Sequence, residues 1–408
     1  MVRVLTCFCL SLIVVAGLLA NALAAEEPVA IYVDTDISSS PESSTAIARG
    51  IKVALEQNGN QLAGRPVEVV MLDHRGNSAR SLRNLKKYLQ DPNALVLYSG
   101  MHSPPLLAHR KFIHENGILL LVPWAAAGPI SRSGNDTNWI FRLSVDDSKA
   151  GEFIVKRAVD ERGFKRPALV LENTGWGQSN LRTMTSSLVA RDLMPTRVEM
   201  FKWGLRETGA KILLREVKDS GADVIFLVAN APEGKVICKA MHDLPPALRL
   251  PIVSHWGITG GDFPAFINST MRKQLDLEFI QTSFSFLEMG DNPFPKEVFE
   301  TATTLFPEVK TPIDLTAPSG FIHAYDLTRI LIAAVEQSAP LGDDMLENRE
   351  KVRNALENLK TPVQGLIKLY DPPFRPYTMY DPDAHEALGA DDFAIGRYGD
   401  NDEIIIAH

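Results

Sequence analysis

Cysteine is almost absent. Cys7, Cys9 and Cys238 are the three in 408 residues, and the first two lie inside an N-terminal apolar run. Once that run is removed, Cys238 stands alone, no internal disulfide can form, and stability must come from core burial. Basic clusters are missing too: 42 Lys+Arg face 50 Asp+Glu, a formal net charge of −8. Without a basic block, neither a nucleic-acid surface nor a polybasic membrane anchor is expected. Catalytic signatures are lacking as well. There is no G-x-S-x-G elbow, P-loop or H-E-x-x-H, and the nine His show no zinc-like spacing with cysteine, so no metal is expected. Gly175-Trp176-Gly177 sits where a dinucleotide loop would, but Asn180 holds the third glycine position and a bulky Trp fills the turn, so no cofactor is expected.

What is present is ordinary globular chemistry, with 45% hydrophobic and 23% charged residues. Disordered, collagenous and coiled-coil classes are thereby excluded. A chain of this length exceeds one hydrophobic core and predicts two lobes. The N-terminus is different in kind. Met1-Val2-Arg3 gives a positive start, Val4 to Leu19 is almost wholly apolar, and Ala22-Leu23-Ala24-Ala25 supplies small residues for cleavage. Residues 1–25 therefore read as a cleaved secretory signal, the apolar run being short for a retained span. Lipoprotein attachment is excluded because Cys7 and Cys9 stand at the start of the run.

Beyond the signal, short β-rich runs alternate with helical patterns. Val29 to Asp34, Val67 to Asp73, Ala94 to Ser99 and Ile118 to Val122 predict buried strands, with helices over Ser44 to Asn58, Ser78 to Gln90 and Pro104 to Asn116. This is a βαβ series, hence a parallel sheet flanked by helices. The rhythm repeats with strands at Ala168 to Glu172, Arg197 to Phe201, Val224 to Ala229 and Ile252 to Ser254. A second sheet of the same kind is expected, so the fold class is α/β with two Rossmann-like lobes. Leu277 to Phe286 and the helix Gly320 to Gln337 are surplus to that second sheet and predict a crossing back to the first lobe. From Thr361 onward, Pro, Asp and Tyr favour turns and extended segments.

In open parallel sheets, ligands sit beyond the carboxyl ends of the strands. Gly100-Met101-His102-Ser103-Pro104-Pro105 follows a strand and opens a helix. Ser103 there is equally a plain N-cap or a hydroxyl that holds a carboxylate, and His102 is equally a packed loop residue, a ligand contact or a titrating group. Trp124, Trp176 and Trp256 each fall in a crevice loop although the chain has five Trp, so they could wall a pocket or belong to the core. Of Asp146 and Asp147, one caps the helix that follows; the other reading is a carboxylate facing a ligand ammonium.

Those loops also carry a family likeness. Gly100-Met101-His102-Ser103, then Val122-Pro123-Trp124-Ala125-Ala126-Ala127-Gly128-Pro129, then Phe141-Arg142-Leu143-Ser144-Val145-Asp146-Asp147 and Gly151, together with Asn230-Ala231-Pro232-Glu233-Gly234 and Ala324-Tyr325-Asp326, resemble the branched-chain amino-acid (Leu/Ile/Val-binding) type of periplasmic substrate-binding protein. These are the solute receptors of ABC importers. The resemblance implies two lobes joined by a three-segment hinge, with residues 26–145 plus 282–342 in one and 146–281 plus 343–408 in the other. It implies a periplasmic, monomeric binder without catalysis whose partners are a small-molecule ligand and a membrane permease.

It further implies carboxylate binding by the loop of Ser103 and the loop after Pro123, with Asp147, Trp176 and the loop from His255 to Thr259 meeting the ammonium or side chain; joined to the reading of the loops, the expected site is His102, Ser103, Ala125 and Ala127, the alanines through backbone groups, with Asp147 and Asn230 between walls of Trp124, Trp176 and Trp256. The chain departs from the amino-acid binders in two places. Ala126-Ala127-Gly128 stands where they place a threonine after paired alanines, and His255-Trp256-Gly257 has no acidic residue before Asp262. The expected ligand is an amino acid or a related small carboxylate, with room for a larger, flatter or less polar one. A sensor of the same fold, or a secreted α/β enzyme using His102, Asp147 or His255, is the competing expectation.

Overall fold

The computed structural model describes residues 27–132, 134 and 137–407; the expected signal, residues 1–25, lies outside them. Six strands form the first sheet: β1 (Val29–Thr35), β2 (Gln61–Leu62), β3 (Arg65–Asp73), β4 (Ala94–Ser99), β5 (Leu120–Val122) and β6 (Ile140–Arg142), in the order β2-β3-β1-β4-β5-β6. All neighbours are parallel except β2 and β3. Strands β1, β4 and β5 are buried along their whole length, as apolar runs covered on both faces must be. Helices α1 (Pro41–Glu56), α2 (Ser78–Gln90) and α3 (Ser103–Glu115) make the crossovers.

The second sheet contains β7 (Pro167–Glu172), β8 (Arg197–Phe201), β9 (Val224–Val228), β10 (Ile252–Ser254) and β11 (Leu277–Thr282), all parallel. Its helices are α4 (Asp147–Val155), α5 (Gly175–Val189), α6 (Glu207–Asp219) and α7 (Ala231–His242). Cys238, on α7, is fully buried.

The chain then returns to the first lobe through α8 (Pro293–Leu305), α9 (Pro318–Ser338), α10 (Met345–Glu357) and the hairpin of β12 (Val363–Gln364) and β13 (Leu369–Tyr370). Helix α9 packs along α1, and α10 against β4. Arg349 on α10 donates to the Ala94 carbonyl at 2.7 and 3.0 Å. The buried Asp326 carboxylate on α9 accepts from Leu366 N, Ile367 N and the Tyr370 hydroxyl. Only β14 (Phe393–Tyr398) and β15 (Ile404–Ala407) rejoin the second sheet, antiparallel, in the order β15-β14-β11-β10-β9-β7-β8.

Two expectations are thereby corrected. Residues 345–370, assigned with 343–408 to the second lobe, are bonded to the first. Strand β11 is no surplus element either: β14 covers its outer side, which makes it an interior strand of the second sheet.

The lobes are joined by three crossings, at 143–146, 283–292 and 371–392. A buried ion cluster ties two of them together. Arg142, fully buried, binds Glu386 Oε2 through Nε and Asp146 Oδ1 through Nη2, each at 2.8 Å. Arg132 binds Asp146 Oδ2 at 2.6 Å and Asp383 at 2.5 Å. Burial works to raise the Asp146 carboxyl, but the Arg142 and Arg132 guanidiniums outweigh it and hold the group at about 2.

Candidate functional site

The carboxyl end of β4 turns sharply at Gly100, where a Cβ would meet Thr35 Cα at 2.9 Å. Proline at the first turn then starts α3 with its fixed φ. The cap position belongs to His102 and Ser103 is the first helical residue, with no side-chain cap bond. The reading of Ser103 as an N-cap is therefore corrected: its Oγ accepts from Ala127 N at 3.2 Å, which leaves its own proton free to donate.

The loop after β5 has its carbonyls committed. Pro123 O accepts from His323 Nδ1 at 3.0 Å, Trp124 O from Ser144 Oγ at 2.6 Å, and Ala126 O from Asp147 N at 3.0 Å. Ala125 O and Ala127 O both face Arg142 Nη1, at 3.4 and 2.9 Å. With its acceptors engaged, this loop and Ser103 can offer a ligand N–H and O–H groups, which suits a carboxylate.

Across the seam, Asp147 opens α4, Trp176 stands at the start of α5, and His255 follows β10. Asp146 is the cap of α4, accepting from Ser148 N at 3.0 Å, so Asp147 is free of that duty. Asp147 Oδ1 accepts from Trp176 Nε1 at 3.2 Å and pairs with His255 Nε2 at 3.0 Å. Because His255 Nδ1 accepts from Trp256 N at 3.0 Å, the neutral ring carries its proton on Nε2 and donates it to Asp147. Burial raises the Asp147 carboxyl above its ordinary range, with the His255 bond opposing. On α5, Asn180 Nδ2 donates to Trp176 O at 3.2 Å.

The lobes are in direct contact. Trp124 from the first and Trp256 from the second lie with ring centroids 5.5 Å apart, and Trp256 packs over His323 at 5.1 Å. Gly128 N reaches Ser179 Oγ at 3.3 Å. Trp124 Nε1, Asp147 Oδ2 and Asn180 Oδ1, buried along this seam, make no hydrogen bond of full geometry among the described residues, although the Asn180 side chain lies close enough to lower the Asp147 carboxyl. Leaving one such group unpaired costs about 1–3 kcal/mol, so their concentration here marks a place built to meet something further.

The expected residues fall into two groups. Ser103, Ala125, Ala127, Trp124, Asp147, Trp176 and Trp256 line the central seam. His102 and Asn230 stand apart: His102 Nε2 meets Asp36 Oδ2 at 3.1 Å, Asn230 Nδ2 donates to Glu172 Oε2 at 3.0 Å, and with Trp203 they line an interlobe cleft of about 170 Å³. Three separate indole walls are not what the fold provides. Trp176 holds Asp147 through its N–H, while Trp124 and Trp256 pack on each other. Sequence reasoning passed over Asn180, which it met as a departure from a glycine pattern. Arg142 stood in a quoted family motif without a role of its own, and Trp203 and His323 were passed over, for which no local pattern existed.

Comparison with known proteins agrees with this architecture. The periplasmic binding protein family model matches residues 31–400. The Leu/Ile/Val-binding protein BraC3 of Rhizobium johnstonii is 22% identical over 324 residues, covering 77% of this chain and 79% of that protein. A periplasmic binding protein type 1 from Bordetella pertussis superposes with a TM-score of 0.77 at 16% identity, over 93% of this chain and 100% of that one. A solute-binding protein of an ABC transporter from R. palustris, solved with 4-hydroxybenzoate, gives 0.74 at 18% identity over 93% and 95%. Two α/β lobes joined by three crossings, and a family match running nearly end to end, lead to one statement of kinship: the chain belongs to the periplasmic binding protein family.

Proposed function

We propose that the protein is an exported solute receptor of an ABC importer, which clasps a small carboxylate between its lobes and delivers it to a membrane permease. The observation that carries this reading is the first-lobe rim, where Ser103 Oγ accepts from Ala127 N and keeps its own proton to donate, while each carbonyl from Pro123 to Ala127 already accepts a hydrogen bond. Family membership supports the receptor role. No helix among the described residues is long and apolar enough to cross a membrane.

Relatives differ in cargo: BraC3 is a Leu/Ile/Val-binding protein, and the R. palustris structure holds 4-hydroxybenzoate. An α-ammonium needs several acceptors at once. Here each rim carbonyl already accepts a bond, the loop after β10 brings Trp256 rather than an acidic side chain, and the one seam carboxylate, Asp147, already accepts from His255 and Trp176. A carboxylate with an apolar or aromatic body is favoured. A solute touching both lobes binds the closed form better than the open one, and that difference in affinity drives closure. No bond is made or broken.

The test is to purify the protein from its native periplasm, release small molecules by denaturation and identify them by mass spectrometry. A stoichiometric small carboxylate is the expected result. Recovery of no small molecule, joined to absence of binding across a carboxylate panel, would end this reading.

A further inference from the structure

The lobes also meet away from the central seam. Trp203, in the turn between β8 and α6 of the second lobe, has its ring centroid 5.5 Å from that of His102 on the first. A Cβ on Gly76, in the turn after β3, would stand 3.4 Å from the same indole, so the ring lies directly over that turn. Each side of the contact is held by its own lobe. On the first, His102 Nε2 meets Asp36 Oδ2 at 3.1 Å, Asp36 Oδ1 accepts from Ser39 N at 3.0 Å, and the His74 ring lies 6.0 Å from that of His102. On the second, Gly204 N donates to Glu233 Oε1 at 2.8 Å and fixes the turn. Burial raises the Glu172 carboxyl, and the Trp203 side chain is near enough to oppose that rise; Glu172 is itself bound by Thr174 Oγ1 and Asn230 Nδ2. Trp203 is still 42% exposed. An indole this open fills no core, yet it is aimed and supported.

We propose that Trp203 is an interlobe latch, a positioning residue that holds the lobes together through His102 and Gly76 without touching the solute. Its effect on affinity rests on the receptor reading above; its effect on the lobes does not. Trp203 and its two partners stand on opposite sides of the hinge crossings, so opening the lobes separates them and the contact belongs to the closed arrangement alone. Whatever it contributes therefore enters the closure equilibrium, and through closure it enters the affinity for every solute by the same factor. A residue that touched the solute would instead discriminate among solutes. One ring pair of this kind shifts such an equilibrium about two- to tenfold.

Single-molecule energy transfer in the signal-cleaved chain tests the latch directly. Labels on Lys87→Cys of α2 and Arg215→Cys of α6, both exposed, report the ratio of closed to open molecules, and the buried Cys238 stays unlabelled. The ratio is expected to fall about two- to tenfold in Trp203→Ala and to recover in large part in Trp203→Phe, with 4-hydroxybenzoate and leucine absent or saturating. Thermal melts should stay close to those of the parent chain, because the indole is half open to solvent. Calorimetric titration should show both solutes losing affinity by one common factor. An unchanged ratio overturns the latch, and so does a loss confined to one of the two solutes. If the parent chain binds neither acid nor any other carboxylate, the receptor reading goes, while the closed-to-open ratio still decides the latch.

Discussion

His255 donates its Nε2 proton to Asp147 Oδ1 at 3.0 Å, and both side chains are fully buried. The bond joins the loop after β10 to the first residue of α4, immediately beyond a hinge crossing. It fixes the orientation of a carboxylate whose second oxygen, Oδ2, is buried without a full hydrogen bond among the described residues. Trp176 supports the same oxygen from α5. A carboxylate aimed in this way is rigid before a ligand arrives, so little ordering entropy remains to be lost on binding.

Trp176→Phe keeps most of the ring and removes the N–H that holds Asp147. Ligand affinity is expected to fall by about 1–3 kcal/mol, the cost of leaving a buried acceptor less supported. Calorimetric titration measures that loss, and a parallel thermal melt should show a smaller change. Equal losses in both would make Trp176 a plain core residue.

Gly260 lies at the interlobe seam with φ −86°, a conformation any L-residue adopts. A Cβ there would meet Met101 Cε at 2.6 Å and Trp124 Cζ2 at 3.4 Å across the seam. The Met101 end can swing aside for a small group, so Gly260→Trp, whose bulk that movement cannot absorb, is expected to wedge the lobes apart while leaving each lobe folded. Small-angle scattering at saturating solute should give a larger radius of gyration than the parent chain. An unchanged radius would contradict the wedge.

Arg142→Met removes the cation between Asp146 and Glu386. Breaking a buried pair by deleting one partner costs about 3–5 kcal/mol, because charges are left uncompensated. Urea unfolding should register a loss of that order. By contrast, Lys211→Ala at the exposed pair with Glu207 should shift the midpoint little, because solvent screens an exposed pair and holding two long side chains costs entropy.

His323 is held neutral. Burial drives its imidazole down to about 3, with the Pro123 carbonyl opposing, and Thr282 Oγ1 lies 3.1 Å from its Nε2. A folded value below the unfolded one of 6.5 means that the unfolded chain takes up the proton first as pH falls. The stability advantage over His323→Gln should be complete above pH 6.5. It should shrink by up to about 1.4 kcal/mol per unit as pH drops from there toward 3. Denaturant melts of both chains at pH 7, 6 and 5 measure it; an advantage independent of pH would refute the neutral assignment.

The local pattern carried much of the architecture. The apolar run Ala94 to Ser99 predicts a strand and is one with the same ends, and Gly320 to Gln337 lies inside α9. The departure at Asn180 and the flagged loop at His255 were visible, but their pairing with Asp147 was not. Ser103 shows the limit well: its place beside a helix start was legible, yet whether its hydroxyl capped that helix or met Ala127 depended on a loop 24 positions away.

The order of residues thus determined the alternating strands and helices, the presence of two sheets and the loops at the carboxyl ends of the strands. Apolar spacing and helix-starting residues act over a few positions, so they can be read locally. Tertiary structure alone decided that Arg142 and His323 would occupy the rim carbonyls, that His255 would hold Asp147 across 108 positions, and that α10 would return to the first lobe. Those outcomes rest on hydrogen bonds and packing between remote segments. No periodicity encodes such contacts, because they exist only once the sheets have formed and the chain has crossed between them.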